Sequence, residues 1–138
     1  MRIFTVAEAE RTLPLVERVV RDLRAEYPRW RDAVARFEVL AAGARAEGGE
    51  SPELRAAREA VGAHAERING YLQELDRVGC VFKGFEAGLV DFYSLREDRL
   101  VFLCWRLGER RIEWWHEVEA GFAGRQRIDQ LMLTGVVG

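Results

Sequence analysis

Apolar residues recur at alternating steps of three and four in the amino-terminal third of the chain, and this feature constrains the fold most strongly. Such spacing places apolar side chains along one stripe of an α-helix, which must be buried against a partner helix. We call this stripe the first seam. It consists of Leu13, Val16, Val20, Leu23, Tyr27, Trp30, Val34, Phe37 and Ala41.

The first helix has a recognisable start. Thr5 followed three residues later by Glu8 is typical of a capping box, in which the two side chains accept hydrogen bonds from first-turn amides. The helix is therefore expected to begin near Val6. Thr12 followed by Pro14 indicates a restart or a kink soon afterwards.

Pro28 lies inside the first seam and decides whether this helix is continuous. A proline in a helix interior removes one backbone hydrogen bond and costs about 3 kcal/mol. The spacing nevertheless keeps its phase across Pro28, and two independent helices would have no reason to keep it. We therefore expect one long helix over 6–47, kinked near Arg24 to Tyr27. The alternative is that Pro28 occupies the first position of a second helix.

The residues after position 47 predict a turn and a second helix. Gly48 and Gly49 adopt left-handed conformations at little cost, and Ser51 followed by Pro52 is typical of a helix start. A short loop between two long helices requires antiparallel packing. The second helix, expected over 52–78, carries a second seam. Its residues are Leu54, Ala57, Val61, His64, Ile68, Tyr71, Leu75 and Val78.

From Gly79 onward the pattern changes to short β-branched or aromatic runs, which glycine or charged residues separate. Such runs are typical of antiparallel strands. We therefore expect a β-meander with a carboxyl-terminal tail over 79–138. The runs are 81–82, 88–93, 100–105 and 112–115.

Gly108 and Glu109 set the expected register of the last hairpin. A two-residue type II′ turn has glycine at its first central position. This turn would pair apolar residues on one face and bring Arg106 near Glu113 on the other. The expected pairs are Trp105 with Ile112, Leu103 with Trp114, and Val101 with His116.

The run 100–105 is apolar at nearly every position, so both faces of this strand should be covered. The helical hairpin can cover one face, and the carboxyl-terminal segment or a second copy of the protein can cover the other. An elongated hairpin also buries less surface than a compact domain of this length, so we expect a homodimer. The apolar residues of the carboxyl-terminal segment are Ile128, Leu131, Met132, Leu133, Val136 and Val137.

The charge balance argues against several kinds of partner. The 21 basic and 23 acidic residues give a net charge of −2, which provides no attraction to nucleic acid or an anionic membrane. No apolar run approaches the roughly 20 residues of a membrane span, and the amino end lacks the apolar region of a signal peptide, so we expect a cytoplasmic protein. Cys80 and Cys104 lack zinc-site spacing and are expected to be buried free thiols.

Three residues of the second half are candidate metal ligands. Asp91 lies in the middle of an apolar strand, His116 ends another strand, and Glu119 follows in a turn. Carboxylates and an imidazole on adjacent strands are what a divalent metal site or a general acid/base pair needs. Their spacing matches no known ligand signature. The alternative is that these residues cap turns, pair with arginine or close a buried polar network.

Arg125 is a candidate anion-binding residue. It lies in a loop over 121–126 that two glycines bracket, and its guanidinium and the loop amides can hold a phosphate or carboxylate. The alternative is a tight turn in which Arg125 pairs with Asp91 or Glu119. His64 occupies a seam position, where a neutral, hydrogen-bonded core histidine or one near the edge of the seam is expected, and we assign it no role.

Several stretches resemble an uncharacterised bacterial family, domain-of-unknown-function family 2203. They are GLVDF at 88–92, CWRLGE at 104–109, WHE at 115–117 and GFAGRQ at 121–126. The amino end, from Phe4 to Val16, is also similar. The resemblance implies a small stand-alone bacterial protein, and it assigns no activity, substrate or catalytic residue.

The sequence thus predicts one α+β domain over 1–138, a long antiparallel helical hairpin packed on a small antiparallel β-meander. Two functional classes remain open. The first is a structural or protein-interaction module that acts as a homodimer. The second is a metal-binding or hydrolytic protein that uses a divalent ion held by Asp91, His116 and Glu119, with Arg125 as an anion clamp. The second class requires these side chains to converge in a cleft.

Overall fold

The computed structural model describes residues 1–133, which form two long helices followed by a five-stranded sheet. Helix α1 spans Val6–Glu47 and helix α2 spans Pro52–Val78. The strands are β1 (Val81–Gly84), β2 (Leu89–Arg96), β3 (Arg99–Arg106), β4 (Trp114–Glu117) and β5 (Gln126–Arg127). A 3₁₀ turn covers Phe122–Gly124 and a short helix α3 covers Gln130–Leu133. The strands pair antiparallel in the order β1-β2-β3-β4-β5, so the α+β class is confirmed.

Helix α1 is continuous through both of its prolines, Pro14 and Pro28. The capping box at its start is present: the Thr5 hydroxyl accepts from the Glu8 amide at 3.1 Å, and the Glu8 carboxylate accepts from the Thr5 amide at 2.9 Å. A restart at Pro14 and a second helix beginning at Pro28 are therefore wrong. Burial of seam side chains such as Leu23, at about 1.5–3 kcal/mol each, outweighs the lost backbone hydrogen bonds.

The two helices form the expected hairpin. Gly48 ends α1 with a φ of 84° and donates its amide hydrogen to the Ala44 carbonyl at 2.8 Å. The Ser51 hydroxyl caps α2 by accepting from the Leu54 amide at 3.1 Å. Because only residues 48–51 connect α1 and α2, the two helices pack side by side in opposite directions.

The hydrophobic core lies between the base of the hairpin and one face of the sheet, which we call the inner face. Trp105 on β3 is fully buried there. The chain before α1 is fastened to the same sheet, because the Phe4 amide donates to the Tyr93 carbonyl and the Ser94 hydroxyl donates to the Phe4 carbonyl. Other core residues include Val16, Val20, Leu23, Leu75, Val90, Phe92, Val101, Leu103 and Trp115.

The register of β3 and β4 differs by one residue from the prediction. Gly108, with a φ of 104°, is the third residue of a turn that the Glu109 amide closes on the Arg106 carbonyl at 2.9 Å. Positive φ at this position is typical of a type II turn, so the predicted two-residue II′ turn is wrong. The longer connection moves every β4 side chain to the opposite face. The observed pairs are Val101 with Glu117, Phe102 with His116, Leu103 with Trp115, and Cys104 with Trp114.

The carboxyl-terminal segment packs on the helix side of the sheet. Met132 is buried in the core and Ile128 packs against it. These two residues therefore do not cover the second, outer face of the sheet, where Arg125 and Arg127 lie over the Trp114 ring instead. The predicted apolar residues at 136–137 lie outside the described residues. Among the described helices, none is long and apolar enough to cross a membrane.

Candidate functional site

Three adjacent strands bring an aspartate, a cysteine and a histidine together on the outer face of the sheet. Asp91 of β2 lies directly opposite Cys104 of β3, and His116 of β4 lies opposite Phe102 of β3. One ligand-type atom from each of Asp91, Cys104 and His116 lies within 4.8 Å of the other two. Only 3%, 1% and 2% of these residues is exposed, respectively. We call this group the sheet triad.

The alternation of side chains along β3 explains why the triad forms on the outer face. Successive side chains of a strand point to opposite faces. Leu103 and Trp105 point into the core, so Cys104 between them points outward. The observed β4 register places Trp115 in the core and therefore His116 on the same outer face as Cys104.

Two hydrogen bonds fix the His116 ring. Its Nδ1 lies 2.7 Å from the Glu117 backbone carbonyl, and because a carbonyl only accepts, Nδ1 carries a proton. Its Nε2 lies 3.1 Å from Oδ2 of Asp91. The Asp91 carboxyl and the His116 ring therefore share one proton between them.

Burial favours the protonated forms of the Asp91 and Cys104 side chains. Burial raises the pKa of the Asp91 carboxyl above its ordinary value, against the opposing effects of His116 and Lys83. Burial, with the nearby Asp91 carboxylate, raises the pKa of the Cys104 thiol to about 12. The free thiol is thus protonated at neutral pH, which excludes Cys104 as an activated thiolate nucleophile.

The donor set of the sheet triad suits a divalent transition metal. A thiolate, an imidazole and a carboxylate are three of the ligands that Zn²⁺ takes in proteins. The 3.1 Å separation of Nε2 and Oδ2 is close to the roughly 3.3 Å between two ligands of a tetrahedral zinc ion. Because Nδ1 of His116 donates to a backbone carbonyl, Nε2, which faces Asp91, is the atom that would bind a metal, an arrangement common in metal-binding histidines.

Two of the three metal ligands predicted from the sequence belong to the sheet triad, and the third does not. Asp91 and His116 are brought together as the metal hypothesis requires, but Glu119 is exposed and lies outside the triad. Cys104 takes its place and was missed, because its partner depends on the β2–β3 register. Glu97 and Asp98, both with positive φ, form the two-residue turn of that hairpin and so pair residue 91 with residue 104.

The Arg125 guanidinium, the predicted anion-binding group, already binds a carboxylate and a carbonyl of the protein. Its Nη2 donates to both carboxylate oxygens of Glu109, at 2.7 and 2.9 Å, and to the Cys104 carbonyl at 3.3 Å. The guanidinium also lies over the rings of Trp114 and Phe122. The partner of Arg125 is therefore Glu109, neither Asp91 nor Glu119, and an anion would have to displace this carboxylate.

A second polar group lies between the two helices, which we call the hairpin cluster. Glu26, only 3% exposed, accepts hydrogen bonds from Arg29 and Arg67 and pairs with Nδ1 of His64. Burial raises the pKa of the Glu26 carboxyl, but the hydrogen bonds from His64, Arg67 and Arg29 together outweigh burial and leave it below its ordinary value. His64 is hydrogen-bonded as predicted, whereas sequence reasoning missed Glu26.

The fold and the sheet triad define a small α+β protein with a buried Asp, Cys and His group, and comparison with known proteins identifies its family. The family model of an uncharacterised conserved protein, DUF2203, matches residues 2–128. The chain therefore belongs to the DUF2203 family. No curated protein and no solved structure matches the chain.

Proposed function

We propose that this protein binds a divalent transition metal through the sheet triad. The observation that carries the proposal is the meeting of Asp91, Cys104 and His116, from three neighbouring strands, with their ligand-type atoms within 4.8 Å of one another. A contraction of about 1 Å brings these atoms to the separations that a zinc ion requires. A bound metal ion itself displaces the thiol proton, whereas catalysis by the free side chains needs a thiolate, which the raised pKa of Cys104 disfavours.

The chemistry of the three ligands favours Zn²⁺ over Mg²⁺ or Ca²⁺. The latter two cations prefer oxygen ligands, whereas a thiolate and an imidazole suit zinc. Binding releases the Cys104 proton and the proton that Asp91 and His116 share, so the apparent affinity rises with pH. Metal ligation also needs a reduced thiol.

The proposed location is the cytoplasm, which is reducing. Both cysteines are free, which supports this location.

The burial of the ligands favours a structural ion over a hydrolytic one. Three protein ligands leave the fourth position of a tetrahedral ion for a water molecule, as in catalytic zinc sites. A catalytic site must also admit a substrate, but Cys104 and His116 are almost fully buried. We therefore propose that the ion fastens β2, β3 and β4 to one another.

The two cysteines provide a matched pair of variants for the test. Cys80 and Cys104 are both buried, but Cys104 alone belongs to the sheet triad. Natively purified wild-type protein and Cys80→Ser should contain about one zinc per chain by elemental analysis, whereas Cys104→Ser and His116→Ala should contain almost none. Cobalt substitution of the wild type should give a thiolate charge-transfer band that Cys104→Ser lacks. Metal-free wild-type protein that also fails to take up added zinc would exclude the proposal.

A second candidate function is self-association through the outer face of the sheet. Phe122, 41% exposed, and the half-buried Trp114 both lie against the Arg125 guanidinium on this face, and Val118, directly after β4, is 44% exposed. An exposed apolar patch of this kind is typical of an interface, and we propose a second copy of this chain as its occupant.

Light scattering tests the homodimer. The wild type and Val39→Glu, altered at a 72% exposed residue on the hairpin, should both have the mass of a dimer. Phe122→Glu should have the mass of a monomer, because it places a charge in the interface. A monomeric wild type at all accessible concentrations would exclude self-association.

A further inference from the structure

A group of aromatic rings lies where α1 meets the connection between β1 and β2. The Tyr27 ring stacks on the Phe85 ring with centroids 4.2 Å apart and planes inclined by 17°. The Phe82 ring packs edge-on against Phe85, and the Trp30 ring lies 6.0 Å from Tyr27. Since Phe82 and Phe85 pack against the core, this group lies on the helix side of the sheet, away from the sheet triad.

Two adjoining cavities share Tyr27 and Phe85 as a common wall. The larger cavity, about 620 Å³, is polar and is lined in addition by Arg24, Pro28, Arg31, Gly84 and Glu86. The smaller cavity, about 360 Å³, is mainly apolar and is lined in addition by Trp30, Ala65, Ile68 and Asn69. The two cavities thus lie on either side of the stacked Tyr27 and Phe85 rings, one apolar and one basic, and we call the pair the aromatic cleft.

The two arginines of the basic half are available to a ligand. Arg24 and Arg31 lie on the same face of α1 as Tyr27, about 10 Å apart along the helix axis. Neither forms an ion pair with any described carboxylate, whereas neighbouring Arg21 and Arg29 pair with glutamates. The guanidinium of Arg31 lies 5.5 Å from the centre of the Tyr27 ring, which restrains its position.

We propose that the aromatic cleft binds a small aromatic anion, with its ring in the apolar half and its carboxylate, sulfonate or phosphate group on Arg24 and Arg31. Aromatic side chains favour a planar ring through stacking and apolar contact. Guanidinium groups hold carboxylates and phosphates through paired hydrogen bonds. Glu86 supplies one negative charge against the two arginines, so the basic half keeps a net positive charge.

Titration with the fluorescent aromatic anion anilinonaphthalene sulfonate tests the proposal. The wild type should bind the probe, and Arg24→Gln/Arg31→Gln should bind it at least about tenfold more weakly. Arg11→Gln/Arg18→Gln is the matched control, because these arginines are also exposed on α1, seven residues apart, and their replacement changes the net charge equally. This control should bind like the wild type.

Two further measurements separate a specific site from general attraction. Phenylnaphthylamine, which lacks the sulfonate, should bind the wild type and Arg24→Gln/Arg31→Gln equally. In nuclear magnetic resonance spectra the probe should shift the indole resonance of Trp30 and leave that of buried Trp105 unchanged. Circular dichroism should show that the variants are folded. A wild type that does not bind the probe, or equal weakening in both double variants, would overturn the proposal.

Discussion

The hairpin cluster and the sheet triad each bury a carboxylate beside a histidine, but the pKa is lowered for one carboxylate and raised for the other. Only 3% of Glu26 and of Asp91 is exposed, but Asp91 lies deeper in the protein than Glu26. The pKa of Glu26 is lowered because two arginines and His64 surround it, whereas that of Asp91 is raised because burial outweighs its partners. The depth of burial and the charged partners together therefore decide the direction of each pKa shift. The hairpin cluster is a completed ion-pair network, and the sheet triad retains protons that a metal can replace.

The largest difference between the two regions should appear when the sheet triad loses its carboxylate. Asp91→Ala leaves His116 and Cys104 buried without their partner. In chelator-treated protein this substitution should lower the free energy of unfolding by about 3 kcal/mol, measured in urea. Asp76→Ala, at an exposed position on α2, is the control and should change it by less than about 0.5 kcal/mol. Equal stability of both variants would contradict the buried pairing.

Removal of the Glu26 charge should have a smaller effect that depends on pH. Glu26→Gln keeps the shape of the side chain and should lower stability by about 1–2 kcal/mol at neutral pH. Because the folded-state pKa lies below the ordinary 4.5, the ionised carboxylate stabilises the fold above that value, and this contribution disappears as pH falls through the folded-state pKa.

Urea unfolding at several pH values measures this dependence. The difference between the wild type and Glu26→Gln should shrink as the pH falls below the ordinary 4.5 and through the lower folded-state pKa. A difference that grows as the pH falls would mean that the pKa of Glu26 is raised, like that of Asp91.

Two glycines should show the smallest effects, with opposite signs in the two regions. Gly108→Ala places a side chain at a φ of 104° in the β3–β4 turn and should lower stability by about 1 kcal/mol. Gly70→Ala, on α2 with open space around it, should raise stability by about 0.5–1 kcal/mol. Thermal unfolding compares the two variants. Destabilisation by Gly70→Ala would contradict the described helix.

The sequence predicts the hairpin better than the sheet because helix signals are local. Spacing, the capping box and the glycines at 48–49 all act within a few residues, and Pro28 is tolerated because the seam around it is buried. The β3–β4 register depends instead on how residues 107–113 fold, and Gly108 fits either of two turn types. The wrong turn placed His116 on the inner face of the predicted sheet, so its proximity to Cys104 was not predicted.

The buried residues that sequence reasoning missed had weaker signals. Cys104 becomes a candidate ligand only when the turn at Glu97 and Asp98 pairs it with Asp91. Glu26 lies three residues after Leu23 and four before Trp30, which is seam spacing, but Tyr27 beside it fits the same pattern. A charged residue on a buried helical stripe indicates a buried ion pair whose partners only the folded hairpin provides.

Zinc-dependent thermal unfolding tests the central claim most directly. At a free zinc concentration of about 100 times the dissociation constant, the melting temperature of the wild type should rise by about 5–10 °C. Cys80→Ser and Glu26→Gln should show the same rise from their own starting temperatures, whereas Cys104→Ser should show none. An equal response of Cys104→Ser and Cys80→Ser, or no response of the wild type, would contradict metal binding by the sheet triad.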